Sequence, residues 1–234
     1  HSKKLLNLES KMNKDVIGQE DAISKITNAL FKSHCGLKDP NRPIGSFLFL
    51  GKTGVGKTLT SKILAKHYFG SSKKLIYFDM SEFSESNSVS QFYGSSPGYV
   101  GYEKGGILTE KVKRDSHCVL LFDEIEKAHP TVLQSLLQVL EEGRLTDNSG
   151  EETSFKNTII ILTSNLGADL VDKKSSVGFM QKDNGSVNKI FEEAKSKLSP
   201  ELVNRFDGIV LFNNFKENHI KKIITIEFSN VKKK

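Results

Sequence analysis

Five short runs of apolar residues are spread along the chain, and each run is continuous rather than alternating with polar residues. A continuous run is typical of a parallel β-strand that is buried on both faces of its sheet. The runs are SFLFLG (46–51), KLIYFD (74–79), CVLLFDE (118–124), NTIIILTSN (157–165) and residues 208–212. They predict five strands of one parallel sheet.

Helical periodicity fills the intervals between these runs. Lys57–Tyr68 follows the first run, residues 105–114 precede the third, and Pro130–Glu142 follows it with proline in the first turn, where a helix tolerates it. Apolar stripes predict two more helices, over residues 18–33 and 216–228. Because strands alternate with helices, the pattern predicts an α/β fold with a right-handed parallel sheet flanked by helices.

Two polar stretches fall outside this pattern. Residues 36–45 contain two prolines and predict a linker into the first strand. Residues 172–188 are polar and contain glycine, and they predict an exposed insertion.

The composition is that of an ordinary soluble globular protein, with 37% hydrophobic and 26% charged residues among 234. No apolar run approaches the roughly 18 residues of a membrane span, so no membrane partner is expected. The first residues, HSKKLLNLESK, lack an initiator methionine and a long apolar core, and we interpret them as an internal cut or processed end. Two widely separated cysteines indicate a reducing compartment, and six scattered histidines predict no zinc site.

The net charge of +6 comes from 34 basic and 28 acidic residues that are spread along the chain. Spread surface charge is mostly solvation, so nucleic acid is not an expected partner. All but four of the basic residues are lysines, a bias that suits AT-rich coding and makes the arginines stand out. They are Arg42, Arg114, Arg144 and Arg205.

The first strand is followed by GKTGVGKT (51–58), which fits the phosphate-binding pattern G-x-x-x-x-G-K-[ST]. The glycines let successive backbone N–H groups curl around phosphate oxygens, while Lys57 supplies charge for the β- and γ-phosphates and Thr58 a hydroxyl for Mg²⁺. A chance match in a lysine-rich chain is the alternative, but a strand precedes this motif and a helix follows it. The residues expected to bind ATP here are Gly51, Thr53, Gly54, Val55, Gly56, Lys57 and Thr58.

Two acidic residues end the third apolar run, LLFDE (120–124). A carboxylate at the carboxyl end of a buried strand lies where an α/β sheet meets its ligand. We expect Asp123 to hold Mg²⁺ through water, and Glu124 to polarise the attacking water as a general base. Alone, such a pair is more typical of a solvated strand end. Together with the phosphate-binding loop it predicts nucleotide hydrolysis.

The fourth apolar run ends in Thr163, Ser164 and Asn165. A polar side chain at that position can sit between phosphate and water. Polar capping of the strand explains the first two nearly as well, so Asn165 is the functional candidate.

Arg205 lies in the segment LSPELVNRFDG, and two interpretations of it are equally good on the residues alone. It is either an arginine finger, which reaches the γ-phosphate held by a neighbouring subunit, or one half of a local pair with Asp207 or Glu201.

Residues 95–106, SSPGYVGYEKGG, follow no helical or strand period and contain four glycines. Dense glycine costs backbone entropy and packs nothing. On the residues alone, Tyr99 within this stretch is a tyrosine of a surface loop.

Together these segments resemble an AAA+ ATPase, and more closely the second nucleotide-binding module of the Hsp100/Clp unfoldases, ClpC-like more than ClpB-like. The resemblance is carried by VIGQEDAI (16–23), GLKDPNRPIGSFLFLGKTGVGKT (36–58), DMSEF (79–83), GSSPGYVGYEKGG (94–106), LLFDEIEKAHP (120–130), LLQVLEEGRLTD (136–147), ILTSNLGA (161–168) and ELVNRFD (201–207). These segments are distributed over nearly the whole chain.

The resemblance implies that Val16 and Ile17 border the adenine, that Asn165 is the sensor-1 residue and that Arg205 is the arginine finger. It also implies an AAA+ large α/β subdomain over residues 1–214. Residues 215–234 would then be the first helix of a small helical lid, so that the chain is a fragment of a longer protein.

The stretch GYVG corresponds to the pore loop of this family. The resemblance therefore implies that Tyr99, with Val100 beside it, grips polypeptide by contact area in the channel of a homo-hexamer. It implies an ATP-dependent unfoldase motor that threads unfolded or tagged polypeptides and delivers them, with adaptors, to a ClpP-type protease. The expected compartment is the cytoplasm or, from the AT-rich bias, the plastid stroma.

Two departures from the family pattern keep other functions open. Lys52 stands where the family usually has proline, and Gly208 stands where it usually has an acidic residue. The alternatives are a nucleotide-binding regulatory subunit that does not hydrolyse, and a ClpB-type disaggregase. A nucleic-acid AAA+ machine has only the net charge in its favour.

Overall fold

A parallel sheet of five strands forms the centre of the described part of the chain, in a computed structural model that describes residue 5 and residues 7–94, 105–166 and 184–231. In chain order the strands are β1 (Gly45–Leu50), β2 (Leu75–Asp79), β3 (Val119–Asp123), β4 (Arg144–Thr146), β5 (Glu152–Ser154), β6 (Ile159–Ser164) and β7 (Gly208–Leu211). The strand order in the sheet is β2-β3-β6-β1-β7, and β4 and β5 form a separate antiparallel hairpin.

Helices connect these strands and pack against both faces of the sheet. In chain order they are α1 (Leu8–Asp15), α2 (Glu20–His34), α3 (Lys57–Tyr68), α4 (Ser86–Tyr93), α5 (Ile107–Arg114), α6 (Pro130–Glu142), α7 (Asn184–Leu198), α8 (Pro200–Val203) and α9 (Glu217–Val231). The predicted bounds of α3 and α6 are those that the structure has. The α/β architecture predicted from the sequence is confirmed.

Each face of the sheet carries its own hydrophobic core. Along β1, Phe47 and Phe49 enter one core, whereas Leu48 and Leu50 enter the other. Strands β1 and β6 are buried at every residue, as their continuous apolar runs predict. Strand β2 lies at the edge of the sheet, and there Tyr77 is 42% exposed.

The five predicted strands are all present, with small shifts at their ends. Helix α5 begins two positions later than the sequence predicts. The reason is that Gly105 pairs with Gly94 in an antiparallel bridge, and Gly106 has an extended backbone with ψ of 150°. Neither glycine is therefore available for the first helical turn.

The expected exposed insertion over residues 172–188 overlaps a helix at its carboxyl end. Residues 172–183 lie outside the described residues, but residues 184–188 begin α7. Further along this helix, Ile190, Ala194 and Leu198 are buried at a spacing of four, which brings them to one face. That spacing is present in the sequence and was the available signal for the helix.

Three neighbouring strands end at one edge of the sheet and bring the predicted site together. Strand β3 ends at Asp123, β6 ends at Ser164, and β1 ends at Leu50, immediately before the phosphate-binding loop. Because these strands are parallel and adjacent, the residues that follow them meet at a single edge. Elsewhere, none of the described helices has both the length and the apolar character needed to cross a membrane.

Candidate functional site

The loop of residues 51–56 joins β1 to α3 and turns sharply at its glycines. Gly56 precedes the first residue of α3 with φ of 101°, a left-handed conformation that favours glycine. A Cβ atom on Gly51 would lie 3.0 Å from the carbonyl oxygen of Phe212, so the loop passes close to the chain that follows β7. The amino end of α3, with its unpaired N–H groups and positive dipole end, is thereby directed at the cavity beside the loop.

Lys57, the first residue of α3, is buried, and three oxygens accept hydrogen bonds from its ammonium group. They are the carbonyl oxygen of Gly51, that of Lys52 at 3.0 Å and Oδ1 of Asn165 at 2.9 Å. Burial lowers the pKa of Lys57, and the nearby carboxylates of Asp123, Glu126 and Glu124 act in the opposite direction. The carbonyl oxygens of the phosphate-binding loop thus hold the ammonium group of Lys57 beside that loop.

Asp123 is oriented by two hydroxyl groups from the neighbouring strands. Thr163 Oγ1 donates to Oδ1 of Asp123, and the Tyr77 hydroxyl donates to Oδ2 at 3.0 Å. Burial, followed by the hydrogen bond to Asp123, raises the pKa of Tyr77 to about 12, so this hydroxyl stays a donor. Sequence reasoning missed Tyr77, which looked like one more apolar residue of its strand, and it left Thr163 open as a strand cap.

Glu124 follows Asp123 with φ of 56°, a left-handed conformation that is uncommon for a residue with a side chain. The N–H of Glu124 donates to Thr163 Oγ1 at 3.1 Å. Its side-chain oxygens are both engaged, Oε1 by the amide of Asn165 at 3.2 Å and Oε2 by the ammonium of Lys127 at 2.5 Å. Strained backbone of this kind concentrates at functional sites. Sequence reasoning missed Lys127.

Asn165 connects the two halves of the site. Its Oδ1 accepts from Lys57, and from Thr53 Oγ1 at 3.4 Å, while its Nδ2 donates to Glu124. Its backbone N–H donates to Oε1 of Glu126 at 3.0 Å. One carboxamide therefore contacts both the phosphate-binding loop and the expected general base.

A cavity of about 360 Å³ lies at this edge of the sheet, within the size range of small-molecule sites. Of the residues that the sequence predicts, the cavity is lined by Val16, Ile17, Thr53, Gly54, Gly56, Lys57, Thr58, Asp123, Glu124 and Asn165. The charged groups expected at the phosphates and the apolar pair expected at the adenine thus share one cavity.

Two predicted contact residues, Gly51 and Val55, are not among the described residues that line the cavity. The carbonyl oxygen of Gly51 accepts from Lys57, and that of Val55 accepts from Gln19 Nε2 at 3.0 Å. The same Gln19 side chain donates to the carbonyl oxygen of Asn213 at 2.8 Å and accepts from its N–H at 3.0 Å. Gln19 is fully buried, and it ties the phosphate-binding loop to the chain after β7.

Residues near the end of the chain also line the cavity, although no pattern in the sequence predicts them there. They are Phe215, Ile223, Ile226 and Glu227, of which the last three belong to α9. The apolar stripe of α9 predicted a helix but did not indicate what the stripe packs against. Two of its isoleucines in fact face the cavity, whereas Ile224 and Phe228 are 49% and 66% exposed.

Comparison with known proteins shows the family to which this chain belongs. A family model described as AAA domain (Cdc48 subfamily) matches residues 42–209. The chain belongs to this family. It is therefore an ATP-binding AAA ATPase domain.

The similar curated proteins are Clp ATPase subunits. A probable ATP-dependent Clp protease ATP-binding subunit of Chlamydia pneumoniae is 48% identical, and the match covers 97% of this chain and 28% of that protein. The negative regulator of genetic competence ClpC/MecB of Bacillus subtilis is 47% identical, with 95% and 28% covered. The chain spans a little over a quarter of the length of these two relatives. The resemblance to ClpC-like Hsp100/Clp modules is confirmed.

The fold is also that of a solved Hsp100 structure. A chain in a closed-state cryo-EM reconstruction of Hsp104 with ATPγS and FITC casein has a TM-score of 0.89 and 38% sequence identity to this one. The match covers 100% of this chain and 40% of the Hsp104 chain. The five-stranded AAA+ architecture among the described residues is confirmed by this likeness.

In this AAA domain, Arg205 lies apart from the cavity, since it is not among the described residues that line it. Its side chain is 46% exposed and pairs with Glu141 at the end of α6. The local pairing with Asp207 is wrong, because Oδ2 of Asp207 accepts from Ser46 N and Oγ, each at 2.8 Å, and from Lys38. The other two predicted functional residues, Tyr99 and Val100, lie outside the described residues.

Proposed function

We propose that this module hydrolyses ATP at the contact between adjacent subunits of a ring and uses the energy to thread polypeptide through a central pore. The observation that carries the proposal is the position of Asn165, which is hydrogen-bonded to both Lys57 and Glu124. All three side chains line the same cavity as Val16 and Ile17, the apolar pair expected to contact the adenine. That arrangement couples a phosphate-binding cation to a general base. Nucleotide binding alone does not require such a coupling.

In this proposal the adenine lies against Val16 and Ile17, and the phosphates lie at the loop of residues 51–56 and the amino end of α3. The carbonyl oxygens of Gly51 and Lys52 hold Lys57 beside the positions of the β- and γ-phosphates, and at least one of its three hydrogen bonds has to be exchanged before it can donate to a phosphate oxygen. Its burial strengthens the attraction to an anion, because little solvent screens it. Gly51 and Val55 act indirectly, by shaping the loop.

The residues expected at Mg²⁺ fit that ion. Thr58 and Asp123 both line the cavity and offer oxygen ligands, which Mg²⁺ prefers. Each oxygen of Asp123 accepts one hydrogen bond from a hydroxyl and keeps a second lone pair, which suits a contact through water. The bound ion would neutralise charge on the β- and γ-phosphates.

Glu124 is the proposed general base, with Asn165 holding one of its oxygens toward the phosphate-binding loop. Lys127 occupies the other oxygen, and this contact has to open before that oxygen can accept a proton from water. Arg205 from the next subunit supplies positive charge to the γ-phosphate. In other nucleoside triphosphatases an arginine finger raises kcat by about 10³-fold or more.

The proposed work of the motor rests on the resemblance and on the relatives. Tyr99 and Val100 would contact the polypeptide in the pore of a homo-hexamer. The name of the Chlamydia pneumoniae relative identifies it as an ATP-binding subunit of an ATP-dependent Clp protease, so a ClpP-type protease is the proposed recipient of the polypeptide. A ClpB-type disaggregase is the second candidate, because the likeness to Hsp104 extends over the whole chain. The proposal also includes a boundary near residue 214 between the large α/β subdomain and the first helix of a small helical lid.

The decisive test is the ATPase rate of the full-length protein as a function of protein concentration, with Glu124→Gln and Arg205→Ala beside the wild type. A site shared between subunits predicts a rate per subunit that rises cooperatively and falls in both variants, while Arg114→Ala keeps the wild-type rate. A flat background rate with ATP still bound would instead identify a non-hydrolysing regulatory subunit. The plastid stroma stays a prediction, which localisation of the tagged protein tests.

A further inference from the structure

Arg42, in the segment between α2 and β1, is an arginine that the proposed mechanism does not use. Its Nε donates to the carbonyl oxygen of Leu140 at 2.8 Å, and its Nη2 donates to the carbonyl oxygen of Arg205 at 2.8 Å. One guanidinium group therefore joins the end of α6 to the backbone of the proposed arginine finger.

The carbonyl group of Leu140 has no hydrogen-bond donor within α6. The last four carbonyl groups of a helix have no intrahelical donor, and Leu140 is within that last turn. Gly143 ends the helix with φ of 66°, and a Cβ atom there would lie 1.7 Å from the carbonyl oxygen of Asn41. The segment that carries Arg42 thus packs directly against the helix end, which brings its guanidinium within hydrogen-bonding distance of the Leu140 carbonyl oxygen.

The same helix end also holds the side chain of Arg205. Glu141, next to Leu140 in α6, forms an ion pair with Nε of Arg205. On its other side, Asp207 binds Ser46 at the start of β1, with the Asp207 N–H donating to the Ser46 carbonyl oxygen at 2.9 Å. Arg205 is therefore held through its backbone, through its side chain and through Asp207, two positions further along the chain.

We propose that Arg42 is a positioning residue for Arg205, and that it sets the direction in which the finger leaves its own subunit toward the neighbour's nucleotide. The inference rests on the proposed function, in which Arg205 acts across the subunit contact. Only arginine offers several N–H donors in a rigid fork that can bond two separate carbonyl oxygens at once. Among the described residues that line the nucleotide cavity, Arg42 is absent, so its removal leaves the subunit's own ATP site intact.

The first test measures kcat and KM for ATP in the full-length protein for Arg42→Met and Arg42→Lys. The relevant quantity is the Arg205-dependent rate, which for each protein is its own ATPase rate minus the rate of the Arg205→Ala variant. We expect Arg42→Met to lower this rate about tenfold or more, within the ~10³-fold that an arginine finger supplies, with KM nearly unchanged. Arg42→Lys keeps the charge without the fork and is expected to lose most of the same rate. The matched control, Arg114→Met, removes an exposed arginine of α5 and is expected to keep it.

The second test separates positioning from a general structural role. Subunits with Arg42→Met keep Glu124 but present a displaced finger, whereas subunits with Glu124→Gln keep the finger but lack the base. Mixed rings of the two are expected to hydrolyse ATP faster than either variant alone, because every contact in which an Arg42→Met subunit supplies the base and a Glu124→Gln neighbour supplies the finger is complete. Mixtures without such a gain, or an Arg42→Met protein that no longer binds ATP, would refute the positioning role.

The outcomes also distinguish this inference from the proposed function. If Arg205→Ala keeps the wild-type rate, the finger itself is wrong and the proposed function fails at that point. If Arg205→Ala loses the rate while Arg42→Met and Arg42→Lys keep it, the finger stands and only the role of Arg42 is refuted.

Discussion

Oδ1 of Asn165 accepts a hydrogen bond from Nζ of Lys57 at 2.9 Å, across the edge between two adjacent strands of the sheet. The same carboxamide donates to Glu124 through Nδ2, so that its two ends distinguish a cation from an anion. An aspartate in this place would attract the lysine and repel the glutamate. The amide is therefore the side chain that suits both neighbours.

Asn165→Ala is expected to lower kcat for ATP hydrolysis at least about tenfold, because a displacement of a catalytic group by about 1 Å costs on the order of 10²-fold. The affinity for ATP should change much less, since Lys57 keeps its contacts with the carbonyl oxygens of Gly51 and Lys52. Steady-state kinetics together with nucleotide titration measure the two effects separately. Asn28→Ala, on the exposed face of α2, is the control. An equal loss of affinity and rate would contradict the connecting role of Asn165.

Thr163→Val replaces a buried hydroxyl by a methyl group of similar shape. Asp123 loses a donor and the N–H of Glu124 loses its acceptor, so the free energy of unfolding should fall by about 1–3 kcal/mol. The ATPase rate should fall as well, because both carboxylates lose their orientation. Urea unfolding and the steady-state rate test this against Thr146→Val, an exposed substitution in β4. A fully active variant would show that Thr163 is only a cap of the strand.

Gly143→Ala should destabilise the module more than Gly150→Ala does. Both positions have a left-handed backbone, which costs a residue with a side chain about 1–2 kcal/mol. At Gly143 the added Cβ atom would also meet the carbonyl oxygen of Asn41 at 1.7 Å, whereas at Gly150 no atom lies within 4 Å. The difference between the two midpoints of urea unfolding measures the contact between residue 41 and the end of α6. Equal midpoints would mean that the segment moves aside at little cost.

Asp147 should make the stability of the β4–β5 hairpin depend on pH. Burial would raise the pKa of Asp147, but hydrogen bonds from Ser149 and the N–H of Glu151, with the charge of Lys113, lower its pKa below the usual 3.8. A group whose pKa is lower in the folded state stabilises it above the unfolded pKa. That stabilisation is lost as the pH falls through the folded pKa. We therefore expect a loss of stability below about pH 4 that is smaller in Asp147→Asn than in the wild type.

Urea unfolding at a series of pH values from neutral to acidic measures this dependence, with Asp21→Asn in the exposed first turn of α2 as the control. The stabilities of the two variants should differ most near neutral pH, where the control, like the wild type, keeps the contribution of Asp147, and they should converge at the acidic end, where that contribution is lost. Parallel curves for all three proteins would show that Asp147 has no such influence.

Most elements of the fold could be predicted from the sequence, because their signals are local. Continuous apolar runs marked the strands, and α6 shows its apolar stripe and its first-turn proline without reference to the rest of the chain. The phosphate-binding loop was equally clear, since glycine, Lys57 and Thr58 have their roles at a fixed spacing. Helix α7 was missed although Ile190, Ala194 and Leu198 carried a readable period, because the polar residues that precede them were interpreted as an exposed insertion.

The sequence by itself determined which residue types the site contains, and the tertiary structure alone decided which of them touch. Asp123 meets Tyr77 and Thr163 because β3 lies between β2 and β6, and that order is not written in any local pattern. Arg205 pairs with Glu141 rather than Asp207 for the same reason. Packing side by side, not distance along the chain, sets the neighbours of a side chain.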